Sequence, residues 1–335
     1  MMKIIVDAFG GDNAPVEILK GCANSLCEHD DLEIVVTGPK DQIEKAAQEN
    51  DIDISKLEIA DCEDILTMED HATDVVKKKK NSSMAVGLKM LADGEADAFL
   101  SAGNSGALIT GATLIVKRIK GIKRPAFSPI LPKSEGMFML IDGGANAECK
   151  SDMLVQFAIM GSVYLKEVMG VENPRVGLAN VGTEDHKGDS LRLETFALLK
   201  KAPVNFIGNV EGRDIPMDGC DVLVTDGFTG NLILKMYEGV AIALMSKFKN
   251  VFTKNLKNKL AAAMVMSDFK QLKHEMDTDI YGGAPILGAA KPVFKVHGNA
   301  TAKTMKYAID LTMSYVRTDV IRKIENFAAN LEKEV

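Results

Sequence analysis

The sequence predicts an α/β fold built on a mostly parallel sheet. Short apolar runs that favour β-strands alternate with longer stretches of helical pattern along most of the chain. Several of these runs are almost entirely apolar, as expected of strands that helices cover on both faces. Alternation sustained over this length is typical of parallel sheets, because each crossover carries a helix. With 335 residues and no internal repeat or long linker, residues 1–335 are expected to form a single α/β body.

The first half of the chain contains four predicted strands. The run KIIVDA leads into a glycine-rich turn and then to Pro15, a residue suited to the first turn of a helix. The runs LEIVVTG, ADAFLSA and MFMLIDG follow. These strands are predicted at 3–8, 32–38, 96–102 and 137–143, with helices at 15–27, 82–93 and 104–117.

The second half continues the alternation and then departs from it. Strands are predicted at 175–181, 204–210 and 221–227, with helices at 151–169, 188–201 and 229–249. From residue 237 to residue 277 no run has the composition of a strand. The segment 254–277 indicates a helix, a bend and a second helix, so a protruding helical hairpin is expected as an insertion at about 238–280.

The predicted hairpin carries an apolar segment, LAAAMVM (260–266), between lysine-rich flanks. One interpretation is that the hairpin packs against a partner subunit. The other is that Leu260, Met264 and Val265 form a tip that rests on an anionic membrane surface while the lysines lie near the headgroups. The two interpretations are compatible.

Charge and composition exclude several classes of protein. The formal net charge of −7 argues against broad nucleic-acid binding, which needs a basic surface. Five scattered cysteines without a CxxC pair are typical of reduced thiols in a cytoplasmic protein. The histidines lack HxxxH spacing, so no metal site is predicted. The N-terminus lacks the apolar run of a signal peptide, and no stretch reaches the roughly 18 apolar residues of a transmembrane helix.

Glycine, asparagine and aspartate are concentrated where predicted strands end. In an open parallel sheet ligands bind outside the carboxyl ends of the strands. The stretches SAGNSGAL and DGFTGNLIL share one design, in which a strand leads through a small polar loop into a helix. Free N–H groups and the helix dipole make such a junction an anion site. The alternative is that these residues serve only as turns and helix caps.

Several nucleotide and hydrolase motifs are absent from the sequence. No GxGxxG follows a strand, no GxxxxGK[ST] occurs, and there is no GxSxG elbow. The sequence therefore predicts an α/β enzyme that binds a small anion such as phosphate.

A set of short motifs resembles those of a known family. DAFGGDNAP, SAGNSGA, GNVEGRDI, DGFTGN and YGGAPILG occur in one order and resemble the signatures of the bacterial phosphate acyltransferases, the PlsX family. The resemblance implies a Rossmann-like three-layer α/β/α sandwich, usually a homodimer, that needs no cofactor. It also implies transfer of a long-chain acyl group from acyl carrier protein to orthophosphate. A membrane acyltransferase would then pass the acyl phosphate to glycerol 3-phosphate, so a cytoplasmic protein bound peripherally to the inner face of the membrane is expected.

The reaction implied by this resemblance suggests roles for residues in the loops. Lys187 would neutralise charge on phosphate or on the tetrahedral intermediate, and Asn231 would donate to the oxyanion. Asp226 would orient a donor or accept a proton. The expected phosphate- and substrate-binding residues are Asp7, Gly10, Gly11, Asp12, Gly103, Asn104, Ser105, Gly106, Asn146, Asn180, Thr229 and Gly230.

Acyl carrier protein is strongly acidic, so this acidic enzyme would need a local basic face to meet it. Two stretches qualify, VKRIKGIKR (116–124) and VKKKKNSSM (76–84). A solvated helix face is the alternative for either stretch. The docking residues expected in the first stretch are Lys117, Arg118, Lys120, Lys123 and Arg124.

Other functions are alternatives to acyl transfer from acyl carrier protein to phosphate. A phosphotransacetylase-like acyltransferase would take its acyl group from a coenzyme A thioester. A dehydrogenase of the isopropylmalate type would need a metal-binding carboxylate cluster and a nicotinamide site, which these motifs do not supply. A regulatory phosphate- or acyl-binding protein would retain the anion loops without turnover.

Overall fold

The computed structural model describes residues 1–276 and 278–331, and these residues form two β-sheets. The strands of the first sheet, in spatial order, are β3 (Glu58–Asp61), β2 (Leu32–Gly38), β1 (Met2–Asp7), β4 (Ala98–Ser101), β12 (Val293–Lys295), β11 (Ala284–Leu287) and β5 (Ala126–Phe127). Those of the second are β6 (Ile130–Pro132), β7 (Met137–Ile141), β10 (Val222–Val224), β8 (Arg175–Asn180) and β9 (Asn205–Glu211). Most strand pairs are parallel; β11 pairs antiparallel with β12 and β5, and β6 pairs antiparallel with β7.

Helices connect the strands and cover both sheets. They are α1 (Val16–Glu28), α2 (Lys40–Glu49), α3 (Ser83–Asp93), α4 (Ser105–Gly111), α5 (Ser151–Glu167), α6 (Ser190–Leu199), α7 (Gly227–Thr253), α8 (Leu256–Met264), α9 (Met266–Glu275), α10 (Ala302–Arg317) and α11 (Val320–Leu331). A π-helical stretch (Ala112–Val116) extends α4, and two 3-10 helices occupy Ala72–Val75 and Thr278–Tyr281.

The alternation of side chains along each strand produces three layers. In β1, Ile4 belongs to a core cluster shared with α1 and α10, whereas its neighbour Ile5 belongs to the core beneath α3. In β10, Val222 packs on the α5 side and Leu223 on the α7 side. Successive residues of a strand point to opposite faces, so each sheet is buried on both sides. The predicted α/β/α sandwich is confirmed.

The sequence did not predict that the strands would separate into two sheets. The chain crosses from the first sheet to the second between β5 and β6, at Ser128 and Pro129. The seven predicted strands all form, with ends displaced by a few residues. Strands β3, β5, β6, β11 and β12 were missed, because runs of two to four residues are too short to show a period of two. Helices α2, α10 and α11 were also missed.

The protruding hairpin is built from α7, α8 and α9. Helix α7 runs unbroken for 27 residues, so the projecting part begins inside a helix rather than at a loop. Helices α8 and α9 fold back beside its end, where the Phe269 ring meets those of Phe248 and Phe252 at centroid distances of 5.9 and 5.4 Å. The bend between α8 and α9 is at Val265. Residue 277, inside the predicted insertion, lies outside the described residues.

Candidate active site

A cleft of about 660 Å³ opens at the carboxyl ends of β1, β4 and β12, where the first sheet faces the start of α7. Of the predicted site residues, Asp12, Ser105, Gly106 and Asn231 line it. One part of the wall is apolar and is formed by Ile109, Phe127, Ile130, Leu131 and Leu234. The cleft lies where open parallel sheets bind ligands, outside the carboxyl ends of the strands.

Two glycines allow the loop after β1 to pack closely beside its neighbours. A Cβ at Gly10 would lie 2.6 Å from the Gly103 backbone nitrogen, and one at Gly11 would lie 2.6 Å from the Gly298 carbonyl oxygen. Gly11 also has a φ of 97°, a conformation that glycine adopts without strain. The Asp12 N–H donates to the Gly298 carbonyl at 2.7 Å and so holds Asp12 at the cleft. Loop packing therefore accounts for both glycines, and their contact with substrate stays a prediction.

Asp7 lies beneath the cleft at the end of β1. Its carboxylate accepts hydrogen bonds from the Ser101 hydroxyl at 2.7 Å and from the Phe9 N–H at 3.2 Å. The Ser101 hydroxyl oxygen in turn accepts from the Gly103 N–H at 3.0 Å. Burial raises the pKa of Asp7, while the donated hydrogen bonds oppose that shift. This network fixes the loop after β4 relative to β1.

Lys295, which sequence reasoning missed, ends β12 directly beside Ser101 and lines the cleft. Its side chain is buried, and its ammonium donates to the carbonyl oxygens of Ala102 at 3.0 Å and Val296 at 2.5 Å. Burial lowers the pKa of Lys295 to about 8, with help from the charge of Lys235. The sequence signal is a lysine inside the apolar run PVFKV, at the end of a strand too short to recognise.

The rim of the cleft near α7 carries further charge. Lys235 pairs with Glu238 at 2.9 Å, and the His297 ring nitrogen lies 3.9 Å from the same carboxylate. Lys235, Glu238 and Asn231 share one face of α7 because they are three or four residues apart. Among the described residues, the Asn231 side chain has no hydrogen-bond partner, so its amide is free to meet a ligand.

The start of α7 is held by a network that the sequence only partly indicated. Asp226 caps the helix by accepting from the Thr229 N–H at 2.9 Å and from the Thr229 hydroxyl at 2.9 Å. Arg192 of α6 forms an ion pair with Asp226 and also donates to the Thr229 hydroxyl at 3.1 Å. Burial opposes ionisation of Asp226, but these donors outweigh it and hold its pKa below the ordinary value. This favours the predicted role of Asp226 in orienting a donor over that of a base.

A second carboxylate, Asp142, joins the cleft wall to the second sheet and was not predicted. It accepts from the N–H groups of Phe127, Gly144, Ala145 and Asn146 at 2.6 to 3.1 Å. The Asn146 side-chain amide donates to Asp142 and to the Pro125 carbonyl. Asn146 thus braces the loop that carries Gly144 at the cleft, and its predicted contact with substrate stays a prediction.

Asn104 and Gly230 also have partners within the protein. Asn104 caps α4 by accepting from the Ala107 N–H at 3.0 Å, and its amide donates to the Met68 and Asp70 carbonyls. A Cβ at Gly230 would lie 1.8 Å from the Asp142 carbonyl oxygen, so glycine is required for α7 to approach that loop. Their binding of phosphate stays a prediction.

Asn180 ends β8 and Lys187 lies in the loop that follows, and neither residue lines the cleft. The Asn180 amide donates to the Lys187 carbonyl at 3.1 Å and accepts from the Val181 N–H at 2.8 Å. The loop approaches α6, because a Cβ at Gly188 would lie 2.7 Å from that of Arg192. The side chain of Lys187 is half-buried. Its catalytic role stays a prediction.

The two predicted contact surfaces are exposed. In the basic segment, Ile119 and Ile122 are buried and anchor the chain, while all five predicted docking cations face solvent. On α8 the side chains of Leu256, Leu260 and Met264 are 73%, 62% and 85% exposed and, at intervals of four residues, share one face. Searching the described residues for a helix both long enough and apolar enough to cross a membrane finds none.

Comparisons with known proteins agree with this architecture. The model of the fatty acid synthesis protein family matches residues 2–323. A phosphate acyltransferase of Acetivibrio thermocellus is 45% identical over 333 residues, which is 99% of this chain and 98% of that protein. A phosphate acyltransferase of Thermoanaerobacter pseudethanolicus is 44% identical, and the match covers 100% of this chain and 99% of that protein.

Solved structures share the fold at much lower identity. A phosphotransacetylase from Streptococcus pyogenes superposes with a TM-score of 0.61 at 14% identity, over 94% of each chain. The phosphotransacetylase EutD from Staphylococcus aureus superposes with a TM-score of 0.58 at 16% identity, also over 94% of each chain. Identity across nearly the whole length and the matched family model lead to one conclusion: the chain belongs to the phosphate acyltransferase family and is an acyltransferase.

Proposed function

We propose that this enzyme transfers a long-chain acyl group from acyl carrier protein to orthophosphate and so supplies acyl phosphate for phosphatidic acid synthesis. The observation that carries the proposal is the two-sided cleft. Asn231, Lys235 and Lys295 offer donors and positive charge on one part of its wall, and Phe127, Leu131 and Leu234 offer apolar surface on another. An acyl phosphate has the same division, with an anionic end and a hydrocarbon end.

The chemistry needs no covalent intermediate on the protein. A phosphate oxygen attacks the thioester carbonyl, the carbon–sulfur bond breaks, and the proton of hydrogen phosphate ends on the departing sulfur. Burial raises the pKa of Cys22, Cys149 and Cys220 to about 12, which does not favour any of these three thiols as a nucleophile. Holding the two substrates together can lower the barrier by about 7–11 kcal/mol, and an oxyanion donor such as Asn231 by about 3–4 kcal/mol.

The exposed basic segment supports acyl carrier protein as the donor. Lys117, Arg118, Lys120, Lys123 and Arg124 lie just before β5, whose Phe127 lines the cleft. An acidic carrier bound there would lie beside the cleft that its thioester must enter. Complementary charge of this kind mainly raises the association rate and its dependence on salt.

Two apolar surfaces support the proposed homodimer and membrane contact. On α7, Phe228, Leu232, Met236 and Val240 are exposed at intervals of four residues, a stripe suited to a second copy of the chain. On α8, Leu260 and Met264 project beside Lys257 and Lys259, as an interfacial helix requires. Replacing Leu260 and Val265 with Glu should release the protein from anionic vesicles. Retained vesicle binding would assign this surface to packing instead.

The proposal is tested by incubating the purified protein with palmitoyl-acyl carrier protein and phosphate and trapping acyl phosphate with hydroxylamine. Phosphate-dependent product is expected with this donor and little with palmitoyl-coenzyme A. The reverse preference would favour a phosphotransacetylase-like acyltransferase. Phosphate binding without product from either donor would favour a regulatory protein.

A further inference from the structure

Lys295 is a buried cation without a counter-ion. Its side chain lines the cleft, and the whole residue is only 7% exposed. Burying an unpaired ammonium costs several kcal/mol, so proteins normally give such a group a carboxylate partner. Among the described residues none lies within ion-pair distance of Lys295, whose ammonium meets only two backbone carbonyls. An ammonium has three N–H groups, so one donor remains for the cleft.

Lys133 is another buried lysine, and its ammonium has carboxylate partners within the protein. Its ammonium meets Asp218 at 2.7 Å, Asp221 at 2.9 Å and the Cys220 carbonyl at 3.2 Å. All three donors are used, and the carboxylates raise its pKa despite burial. Lys295 is equally buried but lacks carboxylate partners and faces a cavity. The difference indicates that its partner comes from outside the protein.

The surroundings of Lys295 select the type of anion. Lys235, Asn231 and the ring of His297 line the same cleft and can each meet an oxyanion, with His297 able to donate from its ring. Asp12 also lines it, and its carboxylate can only accept. Hydrogen phosphate carries both acceptor oxygens and one hydroxyl donor, whereas sulfate lacks the donor. A site that combines cations with an acceptor carboxylate therefore fits hydrogen phosphate better than sulfate.

We propose that Lys295 is the residue whose ammonium binds the attacking phosphate in the cleft. This inference rests on the proposed function and assigns its nucleophile a specific cation. Lys295 is the last residue of β12, which runs parallel to β4 and pairs Lys295 with Ser101, so the backbone of the sheet fixes its position. The ammonium would hold phosphate near Asn231, the predicted oxyanion donor, which lines the same cleft.

The protonation of Lys295 gives the inference a signature that a packing role lacks. Burial and the charge of Lys235 lower its pKa to about 8, while Asp7 and Asp12 oppose that shift. Glu238 and His297 are the other titratable groups on this part of the wall. Because the ammonium is the binding form, phosphate affinity should fall as pH rises through the pKa of Lys295. An arginine there would stay charged, so this alkaline loss should move to higher pH.

The experiment compares Lys295→Met and Lys295→Arg with Lys291→Met. Lys291 is exposed and lies before β12, at the opposite end of that strand, so it controls for loss of one charge. With saturating acyl donor, Lys295→Met should raise the KM for phosphate about tenfold to a hundredfold and leave the donor KM unchanged, as loss of a charged hydrogen bond predicts. Lys295→Arg should recover part of that affinity, and Lys291→Met should match the wild type.

Calorimetry with phosphate and with sulfate separates this inference from the proposed function. If the wild-type protein binds phosphate and Lys295→Met does not, the assignment stands even where no acyl transfer is detected. A folded Lys295→Met with a phosphate KM or Kd within about twofold of wild type would overturn it. If the methionine variant fails to fold, the pH profile of Lys295→Arg decides, and an unchanged alkaline loss of phosphate affinity would overturn it.

Discussion

Substituting Gly230 with alanine tests whether the contact between α7 and the Asp142 loop organises the cleft. The added Cβ would lie 1.8 Å from the Asp142 carbonyl oxygen, a backbone atom that cannot rotate away. To remove this clash the two atoms must move apart by about 1.2 Å, to about 3 Å, and that movement must displace the start of α7 or the Asp142 loop. Asn231 is the next residue, so its amide moves with the helix. Misplacement of about 1 Å near the reacting atoms can cost about a hundredfold in rate.

Gly239 provides a matched control on the same helix. It is exposed, and a Cβ there would meet nothing within 4 Å. Gly239→Ala should therefore stabilise α7 by about 0.5–1 kcal/mol, because alanine loses less backbone entropy in a helix. Gly230→Ala should instead lower stability by about 1–3 kcal/mol, as overpacking does.

The assay combines steady-state acyl phosphate formation with denaturant unfolding of both variants. Gly230→Ala should lose at least about tenfold in kcat while still folded, and Gly239→Ala should keep wild-type kcat. The reasoning is refuted if Gly230→Ala keeps both wild-type turnover and wild-type stability. Equal losses in the two variants would also contradict it, since only Gly230 meets a backbone atom at short range.

Three further outcomes are expected. Asn231→Ala and Lys187→Ala should each cut turnover about tenfold to a hundredfold, and near-normal kinetics in a folded variant would remove that residue from the mechanism. Charge reversal at Lys117 and Arg118 should raise the KM for acyl carrier protein and flatten its salt dependence, whereas an unchanged salt response would count against that surface. The basic side chains that pair with Asp218 lower its pKa to about 2. The stability that this carboxylate adds is therefore present above its ordinary pKa of 3.8 and is lost as pH falls toward 2. The stability of Asp218→Asn, measured by acid unfolding, should not show this loss between pH 3.8 and pH 2. The difference from wild type should be small, because solvent screens the charge.

Some features could be predicted because they depend on local pattern. Long apolar runs such as those of β1, β2 and β8 have only one stable environment, a sheet covered on both faces. The helix–bend–helix of the hairpin follows from periodicity alone. Helix capping was the alternative interpretation of the loops that contain Asn104 and Asp226, and both residues cap their helices.

The site was predicted only in part, because many polar residues at strand ends bind one another. Ser105, Gly106, Asp12 and Asn231 line the cleft, and their contact with substrate stays a prediction. Thr229 is engaged by Asp226 and Arg192, an ion pair between α6 and the start of α7 that no local pattern indicates. Sequence identifies residue types that can meet an anion, but it does not say which of them already have partners.

The sequence by itself determined the α/β class, the positions of the principal strands along the chain, the hairpin and the family. Each of these depends on patterns within a few residues or on motifs in a fixed order. Only the tertiary structure decided that the strands separate into two sheets, and that Lys295 lies beside Ser101 without a carboxylate partner. The two-sheet arrangement and the position of Lys295 depend on pairing between distant segments, such as β4 and β12, which lie nearly two hundred residues apart. Neighbours in space, rather than in sequence, decide which groups are buried and which charges are compensated.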